Sequence, residues 1–125
     1  MTFDAFTKVA LACEGYSIER LSTSLAEEAD SVDLQLRWGP DRPDVVLSFA
    51  NVYYLEVGRP PGPGAAPLSE LAVTILEPSS GPWPTGLNID LVRSPALPAL
   101  VWLHAAGPVQ LNIVAAIATA YQEVG

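Results

Sequence analysis

Along much of the chain apolar and polar residues alternate with a period of two, which is the mark of a half-buried strand. Val32, Leu34, Leu36 and Trp38 alternate with Asp33, Gln35 and Arg37. Val45, Leu47, Phe49, Tyr53, Leu55 and Val57 then share one parity over 13 residues, and Asn51 interrupts that face. A strand of this length usually bends, so a bulge is expected near Ala50-Asn51. Leu71, Val73 and Ile75 repeat the pattern, as do Leu87, Ile89 and Leu91 between Asn88, Asp90 and Val92. Leu100, Trp102 and His104 share one parity, with Val101 and Leu103 on the other. From Val109 to Tyr121 the odd positions are mostly bulky and the even ones small or polar, which predicts a long strand; the alanines at 115–120 make a helix the rival reading. Residues 16–26 fit a helix through Ile18, Leu21 and Leu25, or an extended segment through Ser22-Thr23-Ser24.

Near the start the period changes. Phe3, Phe6, Val9, Ala10 and Cys13 have helical spacing, with Thr2 as an N-cap candidate and Gly15 as a stop. Turn signals separate the remaining elements. Gly39 to Asp44 holds two prolines, RPPGPGAAP (59–67) reads as a mobile polyproline-like loop, and PSSGPWPTG (78–86) as another loop. Strands do not alternate regularly with helices, so a parallel α/β sheet is disfavoured. The expected fold is mainly β, with α+β as a variant: an antiparallel β-sandwich or barrel of six to seven strands with a short N-terminal helix, over residues 1–125 as a single domain.

The charges are few and unevenly placed. Fourteen acids against six basic residues give a net charge of −8. That balance speaks against nucleic acid and against anionic membrane surfaces, since both demand clustered Lys and Arg. Glu14, Glu19, Glu27, Glu28, Asp30 and Asp33 put six acids within twenty residues, whereas Ser94 to Gln122 carries no Asp, Glu, Lys or Arg. Prolines 95, 98 and 108 and the polar Gln110 and Asn112 break the uncharged stretch, so it reads as a buried hairpin or a self-association surface, a homodimer through 94–122, and not as a membrane span. Met1 to Ala12 does not read as a signal peptide, and a lone Cys13 forms no internal disulfide, so a cytoplasmic location is expected. One lysine against five arginines and seventeen alanines suggests a GC-rich, actinobacterial-type coding bias.

Candidate chemistry is sparse. His104 is the only histidine and the one weak catalytic candidate, with Asp33, Glu56 or Asp90 as carboxylates that could orient it. The plainer reading has it packed at a strand end, bonded to backbone. One His and one Cys far apart make no ligand cluster, so neither metal nor cofactor is expected. The prolines of PGPG (61–64) remove N–H groups a phosphate would need. Tyr53 and Tyr54, as strand neighbours, should point to opposite faces, which would leave one of them outside the core. Trp83, between two prolines, is either an interface contact or a lid on the core, while Trp38 and Trp102 are expected in the core.

The strand D-L-x-L-x-W at 33–38 and the segment L-x-F-x-N-V-x-x-L-x-V at 47–57 together resemble small bacterial β-rich proteins, including some immunity proteins of polymorphic toxin systems. The resemblance covers residues 32–57, carries over no functional residue, and implies protein binding without catalysis. Two functional classes follow. The first is a small non-catalytic protein-binding module, immunity-like, docking a basic partner through Glu27, Glu28, Asp30 and Asp33 with Tyr54 and Trp83 as contacts. The second is a small apolar-ligand-binding β-barrel or an enzyme of bacterial secondary metabolism, with His104, Trp102 and a strand tyrosine in the pocket.

Overall fold

A computed structural model describes residues 3–25, 30–58, 70–87, 89, 91–106 and 110–122. One helix, α1 (Asp4–Leu11), precedes six strands: β1 (Ser17–Leu25), β2 (Asp30–Arg37), β3 (Val45–Val57), β4 (Glu70–Leu76), β5 (Leu100–Ala106) and β6 (Leu111–Gln122). The strands form one antiparallel sheet in the order β1-β2-β3-β6-β5-β4. The first three follow as neighbours. The chain then reaches the far edge at β4 and folds back through β5 and β6, so that β6 closes against β3 in the middle. The sheet keeps two edges, β1 and β4, and is not closed into a barrel. The expected mainly β, antiparallel fold with a short N-terminal helix is therefore the observed one, and each of the two ambiguous segments holds a strand, β1 over Ser17–Leu25 and β6 over Leu111–Gln122.

An eight-residue helix has little stability of its own in water, so packing must hold α1 in place. Phe3, Phe6, Ala10 and Cys13 form one buried stripe. It lies on the sheet face made by Val32, Leu34 and Leu36 of β2, Val45, Leu47 and Phe49 of β3, and Leu103, Leu111 and Ile113 of β5 and β6. Asp4 in the first turn and Lys8 in the last suit the helix dipole. Phe3 occupies the N-cap position without a side-chain cap, and Thr2, the predicted cap, lies outside the described residues. The 59–67 loop is likewise outside them.

The opposite face is covered only in part. After β4 the chain crosses it, and Leu87, Trp83 and Ile89 pack on Leu76, Leu100 and Val114. The predicted strand at 87–92 is not there: its described residues form loop, with Leu91 and Val92 exposed. This loop is held by side chains instead of a ladder. Trp83 Nε1 donates to the Leu91 carbonyl (2.7 Å), and the Arg93 guanidinium lies 5.3 Å from the centre of the Trp83 ring. Arg93 also donates to the carbonyls of Pro82 (2.9 Å) and Glu77 (3.1 Å). Trp83 is thus a lid on this second cluster.

Trp38, expected in the core, is 49% exposed. β2 ends at Arg37, so Trp38 falls past the last paired residue and out of the alternation. Its ring packs on Tyr16 (5.5 Å between centroids) and under the Arg42 guanidinium (4.6 Å).

The long uncharged stretch is explained by position. β5 and β6 are interior strands, and Leu111, Asn112, Ile113, Val114 and Ala115 are all buried because both faces are covered there. An unpaired charge on such a segment would be desolvated without compensation.

β3 bends where the sequence predicts. Asn51 has φ of +52°, and the register against β6 shifts between Val52 and Tyr54. Val45, Leu47 and Phe49 face α1, yet so does Val52. After the shift Leu55 and Val57 pair with the buried Ile113 and Leu111. The irregularity also overrides the alternation at the tyrosines: Tyr53 and Tyr54 both pack on the second cluster. Asn tolerates the left-handed conformation and a β-branched residue does not. Asn51→Val should therefore cost about 1–2 kcal/mol, while Asn51→Gly should stay within about 0.5 kcal/mol of the parent. Paired urea titrations of the two variants check this, and equal costs would refute the conformational account.

Candidate functional site

The register of β3, β6, β5 and β4 sets up a row of side chains straight across four strands. Glu56 pairs with Asn112, Asn112 with His104, and His104 with Ala72. One step along, Tyr54, Val114, Trp102 and Thr74 form the next row. Cross-strand partners share a face, so these rows lie together on the face away from α1.

Asn112 is at the centre of the arrangement and is 6% exposed, the one buried polar residue among those described. Its Oδ1 accepts from Trp102 Nε1 (2.9 Å) and lies 2.8 Å from His104 Nδ1. Its Nδ2 donates to Glu56 Oε1 (2.8 Å). The chemistry of the partners fixes the assignment. Indole N–H can only donate, so the amide atom facing it must be oxygen. An ionised carboxylate can only accept, so the atom facing Glu56 must be the NH₂ group. Oδ1 in turn can only accept, so Nδ1 of His104 must carry a proton. In the neutral ring this makes Nε2 the nitrogen with the free lone pair. The Trp102 and His104 rings meet edge to face, 6.3 Å apart at 64°.

These residues line a solvent-open cavity of about 500 Å³. Glu56, Asn112, His104 and Trp102 form one side; Ala72 and Thr74 of β4 and Gln110 before β6 extend it. Thr85 and Gly86 of the crossing loop bound it, and Gly86 turns there with φ of +99°. The end of β3 is tied to the cavity wall by Gly58 N donating to the Gln110 carbonyl at 2.6 Å. A Cβ at Gly58 would lie 3.0 Å from that of Gln110, a tight contact that glycine avoids.

Of the carboxylates considered for His104, Glu56 does belong to the site, but through Asn112 and not by direct contact. A neutral amide passes on orientation, not a proton. Asp33 is exposed and instead accepts from Ser48 Oγ (2.7 Å). Asp90 lies outside the described residues, as do Glu27 and Glu28; the side chain of Asp30 is also not described. Tyr54 stands at the β3 end of the second row, outside the lining of the larger cavity, and with Tyr53, Thr23 and Val52 borders a smaller pocket of about 200 Å³. Trp83 serves the second cluster. Asn112, Gln110, Thr74 and Thr85 were not singled out as site residues by the sequence. The usable signal was a lone Asn in an uncharged strand with an apolar partner parity.

The thiol of Cys13 is buried under α1, donates to the Val9 carbonyl (3.4 Å), and is pushed up to about 11 by desolvation. It belongs to the other face and is held as an inert thiol. Among the described residues no group of His, Cys, Asp and Glu is arranged to hold a metal ion, and no helix is long and apolar enough to cross a membrane.

No known family model matches the chain, and no characterised protein or solved structure matches it. The resemblance over residues 32–57 therefore carries no family assignment.

Proposed function

We propose that the chain binds a small polar molecule in the cavity bounded by Glu56, Trp102, His104 and Asn112, with His104 Nε2 as an acceptor facing the ligand. The observation that supports this is the three-partnered Asn112 amide. A buried amide on an interior strand costs stability unless every partner is met, and here all three partners are side chains that line one cavity. A sheet face needing only to be covered would be served better by apolar residues, as it is at Leu76, Leu100 and Val114. The nitrogen that accepts a hydrogen bond from a bound O–H or N–H is also the one suited to take its proton, so the site is equipped for general-base work.

The rival reading, a protein-docking face, draws on the net charge of −8 and on Glu27, Glu28, Asp30 and Asp33. Of these only Asp33 has a described side chain, and it is committed to Ser48. The cavity has the more specific support.

The test is an NMR screen of polar fragments. Hits should converge on the Trp102 indole N–H and the His104 ring signals, and should vanish in Thr74→Trp, which fills the cavity from the edge strand. Hits that ignore both residues, or that survive the filling, would sink the proposal.

A further inference from the structure

The donor and acceptor inventory of the site points to the charge of its ligand; this rests on the cavity being a binding site. The Nε1–H of Trp102 and the Nδ1–H of His104 are spent internally. Both go to Asn112 Oδ1, and one N–H of Asn112 Nδ2 goes to Glu56. The neutral donors left are the second N–H of Asn112 and the side chains of Gln110, Thr74 and Thr85 farther along the lining; the groups left on Glu56 and His104 are acceptors. Among the described residues Glu56 Oε2 meets no donor, and neither does His104 Nε2. The two acceptors flank one amide, since both side chains reach Asn112 from the strands on either side of it. Glu56 is the only formally charged residue among the described residues lining the cavity. An anionic ligand would meet this carboxylate unpaired in a partly desolvated site, whereas a cation would neutralise it. Trp102 lines the same cavity, and an indole attracts cations more than anions. The overall charge of −8 raises the local concentration of cations in the same direction.

We infer that the ligand is an organic ammonium: a protonated amine whose N–H groups bind Glu56 Oε2 and His104 Nε2, with an apolar or aromatic body against Trp102. The alcohol and the acid of the same shape are the controls. Phenethylamine, 2-phenylethanol and phenylacetate share a ring and linker and differ in charge. Titrated into the full chain and followed at the Trp102 indole and His104 ring signals, the amine should bind at least about tenfold more tightly than the acid, a difference of about 1.4 kcal/mol. Added salt should weaken the amine. Glu56→Gln should remove the preference, because its Oε1 still accepts from Asn112 Nδ2 while the charge is gone. Phenylacetate or the alcohol binding as well as the amine, or an unchanged preference in Glu56→Gln, would overturn the inference and leave the cavity reading standing. If none of the three compounds moves either signal, the inference falls, and the fragment screen alone decides the cavity reading.

Discussion

Truncating Phe49 to alanine should lower stability by about 4 kcal/mol, near the upper part of the range for buried aromatic residues. Phe49 is 1% exposed and stands on β3, the strand that pairs with β2 on one side and β6 on the other. Its register partners are Val32 and Ala118, so smaller side chains flank the ring within the sheet. Above it sits Phe6 of α1, with ring centroids 5.4 Å apart and planes at 73°, the edge-to-face arrangement that aromatic pairs prefer. The ring thus joins three strands and the helix at one point. Its removal leaves a cavity that a short helix and three paired strands cannot close without breaking the register. Domains of this size have only about 5–15 kcal/mol of net stability, so the loss should be visible as a large fall in the urea midpoint with an unchanged slope. Phe6→Ala should cost less, because α1 lies at the sheet's surface, and the double variant should show a coupling of about 1 kcal/mol beyond additivity. A Phe49→Ala cost below about 1.5 kcal/mol would mean that α1 does not seal this face.

The fold was largely legible because strand burial leaves a two-residue period. It was legible wherever one face of a strand meets the core and the other meets water, as in β2, and less so where both faces are covered. In β6, Leu111 to Ala115 are all buried, so parity ceased to carry information and the alanines made a helix plausible. Period also misled where backbone irregularity overrode it. The shift in β3 brought Tyr53 and Tyr54 to one cluster, and the described residues of 87–92 lie in a loop fastened by Trp83 and Arg93. The site was legible only in fragments. His104 stood out as the sole histidine and Glu56 as one of three candidate carboxylates to orient it. Their common partner did not, because it depends on which strand lies between them. β3 and β5 are both neighbours of β6, so Asn112 falls between Glu56 and His104. That adjacency follows from the return of the chain from the far edge, and local spacing holds no record of it.

Asn112→Leu should destabilise the protein by about 3 kcal/mol, from three orphaned groups and not from any cavity. Trp102 Nε1–H and His104 Nδ1–H lose their acceptor, and Glu56 Oε1 loses its donor. Each such group costs about 1–3 kcal/mol when buried, and solvent entering the open side of the cavity reduces the sum. The asymmetry of hydrogen bonding then makes a sharper prediction. Replacing one member of a network is costly, but replacing all of them by apolar groups of similar shape is nearly neutral. The quadruple variant Glu56→Leu, Trp102→Phe, His104→Leu and Asn112→Leu should therefore recover the loss and match or exceed the parent in urea midpoint. It would extend the apolar surface of Leu100 and Val114 along the same face. Such a recovery would mean that stability alone does not account for the polar row, since an apolar row holds the sheet as well; the row would then be retained for what it binds. A quadruple variant less stable than Asn112→Leu would point the other way, to a network that holds the four strands in register, and the ligand proposal would lose its main support.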